Sequence, residues 1–72
     1  MQMKWQGDPI IKVKIERDCA LISANKDGLL SLAKQLNELA NQKKGTHIHY
    51  DQYNSLEEGS DELIVEIIET EE

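Results

Sequence analysis

Seventy-two residues carrying a formal net charge of −6 make a chain near the lower size limit for a single core without staples. A lone cysteine excludes an intramolecular disulfide, and no apolar run approaches the ~20 residues of a membrane span. The acidic balance argues against direct binding to nucleic acid or anionic membrane, since both need basic patches that release counterions.

The chain reads as one cytoplasmic domain over residues 1–72, monomeric or homodimeric, with a polar lead-in over 1–9 and an acidic tail over 70–72. Phe is absent and only Trp5, Tyr50 and Tyr53 are aromatic, so aliphatic side chains must fill the interior. Cys19 is expected as a small buried packing residue. The lead-in ends in a Gly7-Asp8-Pro9 turn signal. Ile10 to Glu16 follows as a strand, with Ile11, Val13 and Ile15 on one face and Lys12, Lys14 and Glu16 on the other. A tight connection through Arg17 and Asp18 leads into a second strand, Cys19 to Ala24, to form a hairpin. Cys19/Leu21 and Ala20/Ile22 are equally good inner pairs there.

Asn25 is a good N-cap, Asp27 suits the first turn of a helix, and Gly45 is expected as its stop, with Lys43 and Lys44 near the negative end of its dipole. Leu29, Leu32, Ala33, Leu36, Leu39 and Ala40 repeat at helical spacing, with Ser31, Lys34, Gln35, Glu38, Asn41 and Gln42 assigned to the opposite side. Thr46 to Tyr50 reads as a third strand, Asp51 to Asp61 as a polar loop with turn chemistry at Asn54-Ser55 and Gly59-Ser60, and Glu62 to Glu69 as a fourth strand. The expected fold is α+β: β-β-α-β-β, a four-stranded sheet with one amphipathic helix packed on one face.

One helix covers one face of a sheet, so the other face meets water or a partner. Period-2 alternation assigns Lys12, Lys14, His47, His49, Asp51, Ile64, Glu66 and Ile68 to that open face. Trp5 and the lead-in offer an ordinary cover for Ile64 and Ile68. Charge divides the chain as well. The first 44 residues hold all eight basic side chains and five acids, and residues 45–72 hold nine acids and no Lys or Arg, so +3 and −9 sum to −6. Such a polarised surface steers a basic partner, beyond its simpler use as a solubilising face.

His47, His49 and Asp51 alternate along one side of a strand, a donor set suited to Zn²⁺ or non-haem iron. H-x-H alone is a weak signal, no second Cys or third His completes a closed site, and two surface histidines beside a turn-capping carboxylate are the more ordinary explanation. The histidines also serve as hydrogen-bonding and pH-sensitive groups at a protein interface, the reading preferred here. Catalytic motifs are absent, adjacent Glu57 and Glu58 in a polar loop are ordinarily solvated, and nothing in the sequence asks for a cofactor. The chain is read as a non-enzyme.

Asn25-Lys26-Asp27-Gly28-Leu29-Leu30-Ser31-Leu32-Ala33, then His47-x-His49-x-Asp51-x-Tyr53-Asn54, then Leu56-Glu57-x-Gly59-Ser60-x-Glu62-Leu63-Ile64, resembles immunity protein family thirty-two of bacterial polymorphic toxin systems. The similarity spans about residues 20 to 69 and leaves the N-terminal segment with Trp5 outside it. The resemblance implies a small α+β cytosolic protein that binds and neutralises a toxin domain. It brings no functional residues with it. The contact residues expected from the sequence are His47, His49, Asp51, Tyr53, Glu57, Glu58, Ile64 and Ile68, meeting a basic toxin, for which charge alone suggests a nuclease. The rival readings are a small metal-binding domain on His47, His49 and Asp51, and a structural module dimerising around Ile64 and Ile68.

Overall fold

The structure, a computed structural model, describes residues 4–68; the acidic tail and Glu69, expected at the end of the last strand, lie outside the described residues. The element order is β1 (Ile11–Glu16), β2 (Cys19–Ala24), α1 (Lys26–Leu39), β3 (His47–Tyr50) and β4 (Leu63–Glu66). The expected order holds, but the single four-stranded sheet does not. β1 pairs antiparallel with β2, β3 pairs antiparallel with β4, and the two hairpins remain separate two-stranded sheets. Among the described residues, no helix is long and apolar enough to cross a membrane.

What stands between the hairpins explains the correction. The free edge of β1 meets residues 57–61, where Glu57 and Asp61 donate their N–H groups to the carbonyls of Ile11 and Val13. The N–H groups of Val13 and Ile15 in turn donate to Ser60 Oγ and Asp61 Oδ2, at 3.2 and 2.7 Å. Gly59, at φ +88°, bends this stretch, so side-chain oxygens replace the backbone carbonyls that a strand would offer. The hairpins are thus bridged by a loop that imitates part of a ladder.

The helix stops earlier than Gly45. After Leu39 the chain tightens into turns, with Asn41 and Gln42 donating their N–H groups to the carbonyls of Glu38 and Leu39. Their side-chain amides reach back to the carbonyls of Asn37 and Glu38, at 3.1 and 3.2 Å, satisfying groups that the helix end leaves open. Lys43 and Lys44 therefore lie beyond the last turn. The start matches expectation: Asn25 Oδ1 accepts from Gly28 N at 2.7 Å and also from Ile10 N, while Asn25 Nδ2 donates to the carbonyl of Asp8. One side chain caps the helix and ties down the lead-in.

The core is Ile11, Val13, Leu32, Leu39, Ile48, Tyr50 and Leu56, with Ala24, Leu63, Val65 and Ile67 packed against it. Ile15, expected inside, is 52% exposed, and Cys19 is exposed rather than buried. The register Val13↔Ile22 and Ile11↔Ala24 decides the inner set of β2 as Ala20, Ile22 and Ala24. Helix rotation also departs from expectation. Ser31 and Gln35, assigned to the wet side, are fully buried, whereas Leu29 and Leu36 are exposed.

The lead-in causes this rotation. Gln35 Nε2 donates to the carbonyl of Lys4, Gln6 N donates to Ser31 Oγ, and Asp8 N donates to Asp27 Oδ2. Every second residue of an extended segment advances ~6.6 Å, and every fourth residue of a helix ~6 Å, so the two rows stay nearly in step. Gly28 allows close docking at the helix start: a Cβ there would lie 2.7 Å from the Ile10 carbonyl oxygen and 2.9 Å from Ile11 Cγ1.

Candidate partner-binding surface

The alternation of β3 and β4 determines what this hairpin presents. Ile48 and Tyr50 turn inward opposite Val65 and Leu63. His47 and Glu66 then face each other on the outer side, as do His49 and Ile64. Ile64 is 58% exposed and Ile68 is 71% exposed, so neither is covered. Trp5 lies instead against Tyr50, edge to face with ring centroids 6.5 Å apart.

Tyr50 belongs to the interior and is not an interface anchor. Its hydroxyl donates to Gln35 Oε1 at 2.7 Å, completing a chain through Gln35 to the Lys4 carbonyl. Burial pushes its pKa up to about 12.

The segment from Asp51 to Asp61 is a built loop. Asp51 Oδ1 accepts from the N–H groups of Tyr53 and Asn54, at 2.9 and 3.0 Å, and the Asp51 carbonyl accepts from Ser55 and Leu56. Asn54 Nδ2 donates back to the His49 carbonyl, and Gly59 N donates to Gln52 Oε1. Leu56, only 5% exposed, pins the middle of the loop into the core. Tyr53 (88% exposed), Glu57 and Glu58 are therefore displayed on backbone that is fixed from both sides.

The expected residues fall into three groups. His47, His49 and Ile64 share the outer face of the hairpin, with Ile68 just beyond the end of β4. Tyr53, Glu57 and Glu58 project from the loop. Asp51 joins His49 and Glu62, and a ligand atom from each of the three lies within 4.8 Å of the others. His49 Nε2 is 3.7 Å from Glu62 Oε1. The donor set that forms is thus His49, Asp51 and Glu62, not His47, His49 and Asp51. Glu62 was visible only as one acid among many; continuing the Tyr50↔Leu63 register by one residue places it opposite Asp51.

Acidic side chains on this region are unrelieved by any Lys or Arg from residue 45 onward. Two of them also hold the fold, since Asp61 Oδ2 accepts from Ile15 N and Asp51 Oδ1 closes its turn. Glu57, Glu58, Glu62 and Glu66 remain exposed.

A family model described as Immunity protein 32 matches residues 20–68, from β2 through to the residue after Ile67. No curated protein and no solved structure matches the chain.

Proposed function

Because the chain belongs to the Immunity protein 32 family, we propose that it neutralises a toxin protein domain by binding it, in the bacterial cytoplasm and without catalysis of its own. The toxin comes from a polymorphic toxin system, and its basic surface meets the acidic loop and hairpin. The observation that carries this reading is the fixed loop, which holds Tyr53, Glu57 and Glu58 outward beside the histidine-bearing face. Ordered backbone keeps the entropy cost of docking low, and an exposed tyrosine among acids supplies an anchor within a steering field. His47, His49 and Ile64 extend the contact along the hairpin, with Asp51 and Ile68 just beyond its strand ends. A nuclease suits this surface, because a cleft that holds a phosphate backbone must be basic.

The test pairs this protein with the C-terminal domain of a large secreted protein encoded beside its gene. Growth is scored with and without the chain, and the purified pair is titrated. Rescue with one-to-one binding is expected. The double reversal Glu57→Lys/Glu58→Lys should weaken binding at least tenfold at low salt and flatten its salt dependence. Unchanged affinity and salt slope would remove the acidic loop from the interface.

A second reading rests on the convergence of His49, Asp51 and Glu62, which form a donor set for a divalent cation. Calorimetry with Zn²⁺ decides it, and no heat up to millimolar metal would end it.

A further inference from the structure

β2 is an edge strand that lacks the usual protections. The N–H groups of Val13 and Ile15 and the carbonyls of Ile11 and Val13 point toward residues 57–61. In an antiparallel pair, the alternate residues Lys12, Lys14 and Glu16 must then bond across to Ser23, Leu21 and Cys19. Asn25 N donating to the Ile10 carbonyl continues the same phase. It follows that Ala20, Ile22 and Ala24 turn their N–H and C=O groups to the outer edge, where no described residue meets them. Edge strands are ordinarily guarded by Lys, Pro, a bulge or a covering element. Cys19 to Asn25 contains neither charge nor Pro. Leu21 on one face is 57% exposed, and Ile22 on the other is 42% exposed.

We propose that this edge pairs with the β2 of a second copy, forming one continuous four-stranded antiparallel sheet about a two-fold axis at Ile22. The sequence around Ile22 is self-complementary for this. The axis places Ile22 against its own copy and Ala20 against Ala24 in both directions, so all three residues with open main-chain groups are satisfied at once. Leu21 meets Ser23. Absence of charge across this register lets two chains of net charge −6 approach without a close like-charge pair. The axis stands perpendicular to the sheet, so both helices lie on one side of it. α1 rests against β2 in each copy, and the exposed Leu29 and Leu36 line the helix flank turned away from Ser31 and Gln35.

The available area determines how strong the dimer is. Six strand residues span ~20 Å, and sheet plus helix stand about 20 Å high, giving roughly 400 Å² per copy. A standard stable interface buries about 800 Å² per partner. The dimer is therefore weak and forms only at high protein concentration. Because β1 separates β2 from residues 57–61, pairing leaves Glu57 and Glu58 outside the interface. This proposal is independent of the toxin reading.

Sedimentation velocity on the intact protein from about 10 µM to about 1 mM tests it. The sedimentation coefficient should rise toward that of a dimer. Ile22→Lys should remain monomeric throughout, and Ile64→Lys, on the other hairpin, should dimerise like the parent. A gentler variant covers the possibility that lysine disturbs the fold. In Cys19→Ser/Ile22→Cys, the two engineered thiols face each other across a hydrogen-bonded pair with Cα atoms ~5.5 Å apart, within disulfide reach, and should cross-link under mild oxidation. The native Cys19 thiols would lie ~20 Å apart in the same register and should not cross-link. A parent that stays monomeric at the highest concentration overturns the proposal. So does a dimer that survives Ile22→Lys, or a doubly substituted variant that fails to cross-link. A monomer in which Ile22→Lys lowers toxin affinity would assign the edge to the toxin instead, and would equally overturn pairing between copies.

Discussion

The two hairpins share one alternating pattern and reach opposite ends. In β3–β4 the inward positions are covered, with Ile48 at 2% and Tyr50 at 0% exposure. In β1–β2 the inward row begins buried at Ile11 and Val13 and then emerges, leaving Ile15 at 52% and Ile22 at 42%. Alternation decides which face a side chain takes, whereas burial depends on what lies over that face. A helix of 14 residues is ~21 Å long and cannot cover both hairpins along their whole length. Both hairpins leave apolar side chains exposed. In β3–β4 they lie on the outer face, where Ile64 stands beside the histidines, whereas in β1–β2 the inward row itself is uncovered at Ile15 and Ile22.

Truncating one isoleucine in each hairpin tests this contrast most strongly. Ile48→Ala removes a core side chain and should cost about 2–5 kcal/mol in urea unfolding. Ile22→Ala in dilute protein should cost less than about 1 kcal/mol, because Ile22 is half-exposed in the monomer. Equal costs would mean that something already covers β2 at low concentration.

The contact that completes the β3 side is the polar chain from Tyr50 to Lys4. Tyr50→Phe leaves Gln35 Oε1 buried without its donor, which should cost about 1–3 kcal/mol. The same variant carries a pH signature. In the unfolded chain the phenol titrates near 10, and in the fold burial pushes it up to about 12. The folded state therefore holds its proton where the unfolded state has lost it. This contribution is fully present below pH 10 and is lost as pH rises toward 12. Stability measured across that window should fall in the parent and fall less steeply in Tyr50→Phe. Parallel slopes would show that Tyr50 does not drive the loss.

On the β1 side the corresponding contact is the glycine that lets the helix dock. Gly28→Ala places a Cβ 2.7 Å from a backbone oxygen that cannot swing aside. A net loss of about 1–3 kcal/mol is expected, despite the roughly 1 kcal/mol that Ala offers in a helix interior. Thermal unfolding measures it, and a gain in stability would mean that the helix can move off β1 without cost.

These residues also mark how far the sequence could be read. Element order, the Asn25 cap and the alternation of β1, β3 and β4 followed from local rules, because propensity, capping and period-2 patterning are local properties. The inner set of β2 needed its register against β1. Residue 20 onward also carried the family resemblance, matched over residues 20–68. The helix rotation was not legible, because Ser31 and Gln35 are polar yet buried, and their partners sit 25 and 31 residues away in the lead-in. Nor was the break between the sheets, since residues 57–61 imitate a strand edge with Ser60 and Asp61 side chains. At the candidate surface, His47, His49 and Ile64 were placed by alternation. Grouping His49, Asp51 and Glu62 required the register between β3 and β4.

Asp61 separates structural acids from those free to meet a partner, and its effect is the smallest. Its Oδ2 accepts from Ile15 N at 2.7 Å, standing in for a carbonyl along the edge of β1. This bond is exposed, so Asp61→Ala should cost about 0.5–1.5 kcal/mol, with Asp61→Asn recovering most of it by restoring an oxygen acceptor. Asp61→Asn also removes one negative charge, as Glu58→Gln does. If the toxin meets the free acids, Glu58→Gln should weaken binding more than Asp61→Asn while disturbing stability less. Titration and urea unfolding of the two variants separate charge that steers from charge that holds the hairpins together. Equal losses of affinity would show instead that the toxin responds to net charge, whichever side chain carries it.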